Sequence, residues 1–163
     1  MTIERPELRQ ISARLLTQAG WMIGTFHVPV ASSFLDHLNH AGAFFKLTNV
    51  TIGSTNDPVE FFALRRAEVT LVIPESSEDE LKLGDSGENT KSVSCWLPTG
   101  EVVGSLQLQP GVRVSDHLLH HEGFTTLRDC VGRDLHAAVN AATVVFVNAG
   151  RVLGVVDRPD DAF

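Results

Sequence analysis

The sequence predicts a mainly β protein built from two similar units, each a five-stranded, strongly bent sheet or small barrel with a short helix between strands two and three. Two observations lead to this prediction. Residues 20–50 recur at residues 100–130 without a gap, at an offset of 80 positions. In both copies, short stretches of alternating polarity flank tight turns, which is typical of β-hairpins.

The repeat lies well above chance, because eight of its 31 aligned positions are identical where chance would give roughly two. We interpret it as an internal duplication. It divides the 163 residues into a first unit at 10–74, an acidic linker at 75–91 and a second unit at 92–157. The identical pairs are Gly20/Gly100, Gly24/Gly104, Asp36/Asp116, His37/His117, Leu38/Leu118, His40/His120, Phe44/Phe124 and Leu47/Leu127.

Each unit opens with a predicted hairpin. In the first unit, residues 11–17 lead through a turn at 18–20 into the alternating segment 21–29. The second unit repeats this arrangement around Pro-Thr-Gly at 98–100, which is strong turn punctuation. The first two strands of each unit therefore pair as neighbours.

A short helix of about two turns is predicted at residues 31–40. Ser33, with Asp36 three residues later, resembles a helix N-terminal signature. In the second copy Arg113 takes the place of Ser33, so Ser115 is predicted to cap that helix one turn later.

The remaining strands follow the helix in each unit. Residues 44–52 and 124–131 are rich in aromatic and aliphatic side chains and read as strands. A hairpin then closes each unit, with turns at 65–68 and 148–150. The second unit carries three additional residues in the loop at 132–142, whose Ala-rich part favours a helix.

This order of elements resembles the Sm/LSm proteins. Residues 23–26 (Ile-Gly-Thr-Phe), 35–39 (Leu-Asp-His-Leu-Asn) and 44–50 resemble the first Sm motif, and residues 144–152 resemble the second. The pattern is also similar to an uncharacterised bacterial Sm-like family with a short helix inserted between strands two and three. The resemblance implies an SH3-like barrel in each unit and oligomers formed by pairing of edge strands.

The same resemblance implies RNA or nucleotide contacts through asparagine and arginine side chains. The net charge of −7 opposes this role, because neutralising phosphates requires Lys and Arg. For the adjacent arginines Arg65 and Arg66, the alternative interpretation is an ordinary solvated turn. The candidate nucleic-acid-binding residues are Asn39, Asn49, Arg65, Arg66, Asn148 and Arg151.

A repeated Asp-His-x-x-His segment is the second candidate site. Histidines at i and i+3 share a helix face, so each pair could contribute to a divalent metal site with a carboxylate nearby. Two histidines supply only half of a zinc site, and a solvated polar helix face or a pH-responsive interface are the alternatives. The candidate metal ligands are Asp36, His37, His40, Asp116, His117 and His120.

The sequence contains no recognisable catalytic motif, so we expect a non-catalytic protein that acts through assembly or partner interaction. RNA or nucleotide binding is the first alternative, and metal or small-ligand binding by the repeated helices is the second. We expect a homo-oligomer and no membrane partner, since no apolar run approaches the ~20 residues of a membrane span. Cys95 and Cys130 lack CxxC spacing and read as reduced thiols, with a disulfide as the alternative. The N-terminus lacks the basic-then-apolar pattern of a signal peptide, so we expect a cytoplasmic location.

Overall fold

The computed structural model describes residues 5–53, 57–84, 89–120 and 123–158, which form ten β-strands and four short α-helices. In chain order these are β1 (Leu8–Thr17), β2 (Gly20–Pro29), α1 (Phe34–His40), β3 (Phe44–Ile52), β4 (Val59–Arg65), β5 (Val69–Pro74), α2 (Glu78–Leu81), β6 (Thr90–Leu97), β7 (Gly100–Gln107), α3 (Val114–His120), β8 (Phe124–Arg133), α4 (Ala138–Ala141), β9 (Val144–Asn148) and β10 (Gly154–Arg158). The predicted mainly β class is confirmed, and α1 and α3 lie where the inserted helices are predicted. None of the helices in these residues is long and apolar enough to cross a membrane.

All ten strands belong to one antiparallel sheet, to which each predicted unit contributes five neighbouring strands. The strand order is β10-β6-β7-β8-β9-β5-β1-β2-β3-β4. The two halves join where β5 pairs with β9. An unpaired strand edge leaves backbone N–H and C=O groups without partners, and this pairing satisfies them. Within the described chain the sheet does not close on itself, because β10 and β4 stand at its two ends.

The pairing registers of the two halves correspond position by position. Leu16 lies opposite Trp21 in the first hairpin, and 80 residues later Trp96 lies opposite Glu101. Both halves have a register shift at the same place in the second and third strands. At that shift Asn49 has φ 52° and Asp129 has φ 53°, the left-handed conformation that Asn and Asp tolerate best among side-chain-bearing residues.

The strands at the junction are buried on both faces. Every residue of β5 and of β9 is buried. Because side chains alternate across a strand, Val72 and Phe146 point into the core of the first half, whereas Leu71 and Val147 point into that of the second. Each half therefore contributes side chains to the other half's core.

The two inserted helices begin at corresponding residues. Ser33 accepts a hydrogen bond from the Asp36 backbone N–H at 3.1 Å and caps α1, as predicted. The prediction that α3 is capped one turn later by Ser115 is wrong. The His117 N–H donates to the Arg113 carbonyl at 3.0 Å, so the helical hydrogen bonds start at Arg113, where Ser33 lies in the first half. The preceding turn has the same backbone hydrogen bond in both halves and fixes this start.

The predicted acidic linker, 75–91, contains the helical turn α2. Ser77 caps it, and Leu81 is 1% exposed in the core of the first half. Glu78 also forms an ion pair with Arg128 of β8. The polar composition of this segment hides these anchors, because one buried leucine is enough to hold a single turn of helix against a core. Residues 85–88 lie outside the described chain.

Candidate functional site at the junction of the two halves

The junction between the two halves combines a short strand pairing with ring contacts and side-chain hydrogen bonds. Its backbone contact is short, since only Leu71–Val147 and Val72–Phe146 pair between β5 and β9. Aromatic rings extend the contact: the centroids of Phe34 and Phe146 lie 5.4 Å apart at an edge-on angle. Such edge-to-face pairs stabilise beyond the area they bury. Packing between aromatic rings of the two halves thus reinforces the short backbone pairing between β5 and β9.

Asn39 connects the halves from the end of α1. Its Oδ1 accepts from the Phe124 N–H at 2.7 Å, and its Nδ2 donates to the Phe124 carbonyl at 3.2 Å. Because the amide bonds both backbone groups of Phe124, it takes the place of a neighbouring strand beside the first residue of β8. The fit is close, because a Cβ on Gly123 would stand 2.4 Å from Asn39 Oδ1. Sequence reasoning selected Asn39 as an RNA contact, and its amide is instead engaged within the protein.

Asn148 and Arg151 make the corresponding links from the second half. The buried Asn148 amide donates to the Val69 carbonyl at 2.8 Å, and its Oδ1 accepts from the Gly150 N–H at 3.0 Å. Arg151 donates to the Ala67 carbonyl at 2.6 Å and forms an ion pair with Glu68 at 2.9 Å. Both residues therefore hold the closing turn of the first half.

Arg66 completes this group, whereas the other two nucleic-acid candidates lie apart from it. The Arg66 guanidinium donates to the Asn39 carbonyl at 2.7 Å, at the C-terminal end of α1. Arg65 is exposed and lies over the Phe44 ring, 4.7 Å from its centroid. Asn49 is exposed at the irregularity of β3.

A cleft of about 350 Å³ opens at this junction. Three of the six nucleic-acid candidates line it together with backbone and ring atoms of the second half. All three side chains are hydrogen-bonded to the protein, and the charge of Arg151 is paired with Glu68, so part of the cleft's donor capacity is already used. The lining residues are Arg66, Ala67, Gly123, Phe124, Asn148, Gly150 and Arg151.

The two histidine pairs do not come together in a metal site within the described chain. No group of three or more His, Cys, Asp or Glu side chains there is arranged to hold a metal ion. In the first half, His37 packs edge-on against Phe26, and His40 Nδ1 lies 2.8 Å from the carbonyl oxygen of Asp36. Partial burial, and then the nearby Arg9 guanidinium, lower the pKa of His37 below 6.5. The metal hypothesis stays a prediction.

The second copy of the motif differs in its contacts. His117 Nε2 lies 3.2 Å from Thr125 Oγ1, whereas Asp116 and His120 are exposed. Thr125 stands where Phe45 stands in the first half, which gives His117 a polar neighbour in place of an aromatic core. The two copies of the Asp-His-x-x-His motif thus have the same spacing but different surroundings. His121, which follows it in sequence, lies outside the described chain.

Glu101 is a buried carboxylate that the sequence reasoning missed. It is 5% exposed on β7 and accepts hydrogen bonds from Ser94 and Arg158, with Arg133 at 3.9 Å. The Ser94 hydrogen bond and the two guanidinium groups lower its pKa, against the opposing effect of burial. No motif marks Glu101 in the sequence, because its partners lie on three other parts of the chain. The cluster joins β6, β7, β8 and β10 and reads as a structural contact.

The two cysteines lie in the core of the second half. Burial raises the pKa of the Cys95 thiol to about 11 and that of Cys130 to about 12. Both thiols are free and buried. Neither has the lowered pKa that a nucleophilic or metal-binding cysteine requires.

The two free edges of the sheet carry exposed apolar side chains. On the β4 edge, Phe61 is 58% exposed and Val59 is 41% exposed. On the β10 edge, Val156 is 48% exposed and Leu153, which precedes the strand, is 72% exposed. Exposed apolar residues on an unpaired strand mark a surface for contact with another chain.

Comparison of the chain with models of protein families, with curated proteins and with solved structures gives no match.

Proposed function

We propose that the protein is a non-catalytic scaffold of two Sm-like units that acts by assembling head to tail with copies of itself. The observation that carries the proposal is the relation between the junction and the free edges. The junction joins β5, the fifth strand of the first half, to β9, the fourth strand of the second. The free edges are β4, a fourth strand, and β10, a fifth strand. The two free edges of one chain thus present both surfaces of the contact that the chain already makes between β5 and β9.

The register of that contact can be transferred to the free edges. The turns after β4 and β9, residues 66–68 and 149–151, are 83 positions apart. Pairing of Leu71 with Val147 then corresponds to pairing of Gly154 with Leu64 of the next copy. Continued along the strands, this register sets Arg158 opposite Glu60. Arg158 already pairs with Glu101 within its own chain, and Glu60 of the next copy would add a second carboxylate to that pair.

The apolar residues of the free edges have buried counterparts at the junction. The counterparts at the junction are much less exposed than the residues of the free edges. This difference in exposure supports the proposal, because binding of a second copy would bury the free-edge residues in the same way. The corresponding pairs are Phe61 (58% exposed) with Val144 (2%), Phe44 (42%) with Phe124 (0%), and Val156 (48%) with Ile73 (4%).

A head-to-tail contact has a consequence for assembly size. It joins two different surfaces, so it produces a closed ring if the rotation closes and an open filament if it does not. A closed ring of this 17.7 kDa chain has one defined mass over a wide range of protein concentration, whereas a filament grows. Light scattering coupled to size exclusion therefore tests the proposal directly. A clean monomer at high protein concentration overturns it.

Edge variants test the direction of the contact. Phe61→Lys disables the β4 edge and Val156→Lys disables the β10 edge, so each variant alone should be monomeric. A mixture of the two retains one intact contact and should give dimers and nothing larger. Val131→Lys is the matched control: Val131 is 53% exposed on β8, inside the sheet, and the assembly should persist.

A like-to-like contact predicts a different result. If β4 paired with β4, Val156→Lys alone would still dimerise. Such a dimer, or assembly that survives both substitutions, contradicts the head-to-tail arrangement.

RNA or nucleotide binding is a second candidate function, favoured because Arg66, Asn148 and Arg151 line one cleft at the junction. Fluorescence anisotropy with a labelled single-stranded RNA at low salt tests it. Binding through phosphates should fall steeply as salt rises. An Arg66→Ser variant should weaken it, whereas Arg65→Ser, outside the cleft, should not. Absence of RNA binding at low salt removes this candidate.

A further inference from the structure

A second cavity lies in the second half, beside the start of α3. It has a volume of about 600 Å³, within the range of small-molecule sites. It opens between the start of β6, the loop from β7 to α3, and β10. Its apolar floor includes Leu108 (6% exposed) and Val114 (4% exposed), and Val155 of β10 adds to it.

The corresponding region of the first half is filled. Phe34, fully buried, stands where Val114 lines the cavity, and its ring packs at 5.1 Å from that of Phe26. Arg9 stands where Asn89 lines the cavity. The Arg9 guanidinium crosses to the helix-preceding loop and donates to the carbonyls of Pro29, Val30 and Ser32. Asparagine is too short for such a bridge, and valine lacks the aromatic ring.

The turn before the helix has the same backbone in both halves, whereas the segment after the last strand differs. In the first half α2 places Leu81 in the core and Lys82 donates to the Val30 carbonyl, and the corresponding segment after β10 lies outside the described residues. The turn before the helix is closed by Ser32 N–H to Pro29 carbonyl at 2.9 Å in the first half, and by Val112 N–H to Gln109 carbonyl at 3.1 Å in the second. The second half thus keeps this turn and omits the ring and the cation bridge of the first half.

The charges on the rim select the ligand class. Lys91 and Asp157 pair with each other at 3.6 Å, so their charges largely cancel. Arg113 is exposed on the rim, and no carboxylate of the described chain forms an ion pair with it. The rim therefore has a net charge of about +1 above an apolar floor, and a guanidinium can bind a carboxylate through two parallel hydrogen bonds.

We propose that this cavity binds a small aromatic carboxylate, with the ring on the floor formed by Leu108, Val114 and Val155 and the carboxylate on Arg113. The ring takes the volume that Phe34 fills in the first half. The site lies within one chain and does not rest on the assembly proposed above. Val156, the edge residue changed to prevent assembly, points to the opposite face of β10 from Val155.

The experiment uses 3-phenylpropionate as the ligand and follows backbone amide shifts of the full chain by NMR. Shifts should concentrate at residues 89–91 and 108–115. The neutral 3-phenylpropionamide should bind about tenfold more weakly, and acetate, which lacks the ring, should cause no saturable shift. Binding should be unchanged in the Val156→Lys variant, which separates failure of this site from failure of the assembly.

Two substitutions that copy the first half provide the decisive variants. Val114→Phe should fill the cavity and abolish binding. Arg113→Ser restores the residue that caps α1, so the fold should be kept while binding weakens about tenfold. Arg65→Ser, an exposed arginine of the first half, is the control. The proposal is overturned if 3-phenylpropionate gives no saturable shifts in the cavity, or if both Val114→Phe and Arg113→Ser bind it like the unaltered protein.

Discussion

Replacement of Asn39 by leucine tests whether the two halves form one cooperative structure. Leucine is the residue at the same helix position in the second half, position 119, so the helix itself should tolerate it. The substitution removes two hydrogen bonds: the one that Asn39 Oδ1 accepts from the Phe124 N–H and the one that Asn39 Nδ2 donates to the Phe124 carbonyl. Each such bond contributes about 0.5–1.5 kcal/mol, so the free energy of unfolding should fall by about 1–3 kcal/mol.

Urea denaturation followed by tryptophan fluorescence and circular dichroism measures this loss. For a chain of this size, about 2 kcal/mol corresponds to roughly 4–8 °C in Tm. Trp21 packs against the core of the second half, and circular dichroism follows the whole sheet. Both signals should give one coincident transition, because the two cores share side chains across the junction.

His40→Ala is the matched control, since His40 is exposed on the same helix and bonds only the carbonyl of its own turn. It should change stability by no more than about 0.5 kcal/mol. A loss for Asn39→Leu as small as that of the control would refute the view that the amide links the halves. Two separate transitions in the unaltered protein would refute the shared core.

Four further results follow from burial and protonation. Phe146→Ala should cost about 3–5 kcal/mol, since its ring fills the first half's core from the second half; a cost below about 1 kcal/mol would contradict that packing. Glu101→Gln should lower Tm at neutral pH but have little effect in strong acid. The folded-state pKa of Glu101 is lowered, so its contribution to the free energy of unfolding is present above pH 4.5 and is lost as the pH falls through that pKa. His37 has a lowered pKa, so the protein should lose stability as the pH falls below 6.5, and His37→Gln should flatten the loss seen by thermal denaturation; an unchanged profile would exclude His37 as its source. Cys95 and Cys130 should react with a disulfide reagent at pH 8 only after unfolding in urea. A pKa of about 11 leaves about one Cys95 thiol in a thousand ionised at that pH. Rapid reaction of the native protein would contradict the burial of both thiols.

Local patterns predicted most of the elements correctly. The alternation around residues 18–20 and 98–100 identified the first hairpins, since period-2 polarity and turn residues act within a few positions. Ser33 and Asp36 identified the start of α1 for the same reason. Arg113 shows the limit of such reasoning. A missing cap suggested a later helix start, yet the backbone turn before α3 determined where the helix begins.

The sequence identified several residues of the candidate site, and their contacts became visible only in the structure. Asn39, Arg66, Asn148 and Arg151 were selected as nucleic-acid contacts because the segments and turns that contain them resemble the Sm motifs. The structure brings them to one place, where Asn39, Asn148 and Arg151 bond across the two halves and Arg66 bonds the end of α1 within the first half. Glu101 carries no motif, and two of its three partners, Arg133 and Arg158, are 32 and 57 residues away in sequence, so local patterns did not indicate it.

The sequence by itself determined that the chain is mainly β, that its halves repeat at an offset of 80, and that a short helix interrupts each half. These properties depend on local polarity and turn chemistry, which adjacent residues carry. Only the tertiary structure decided that β5 pairs with β9, that each half packs side chains into the other's core, and that a cavity opens beside the start of α3 in the second half. Pairing of strands and filling of space depend on residues that meet only after folding, and the repeat, being common to both halves, could not show which edge would meet which.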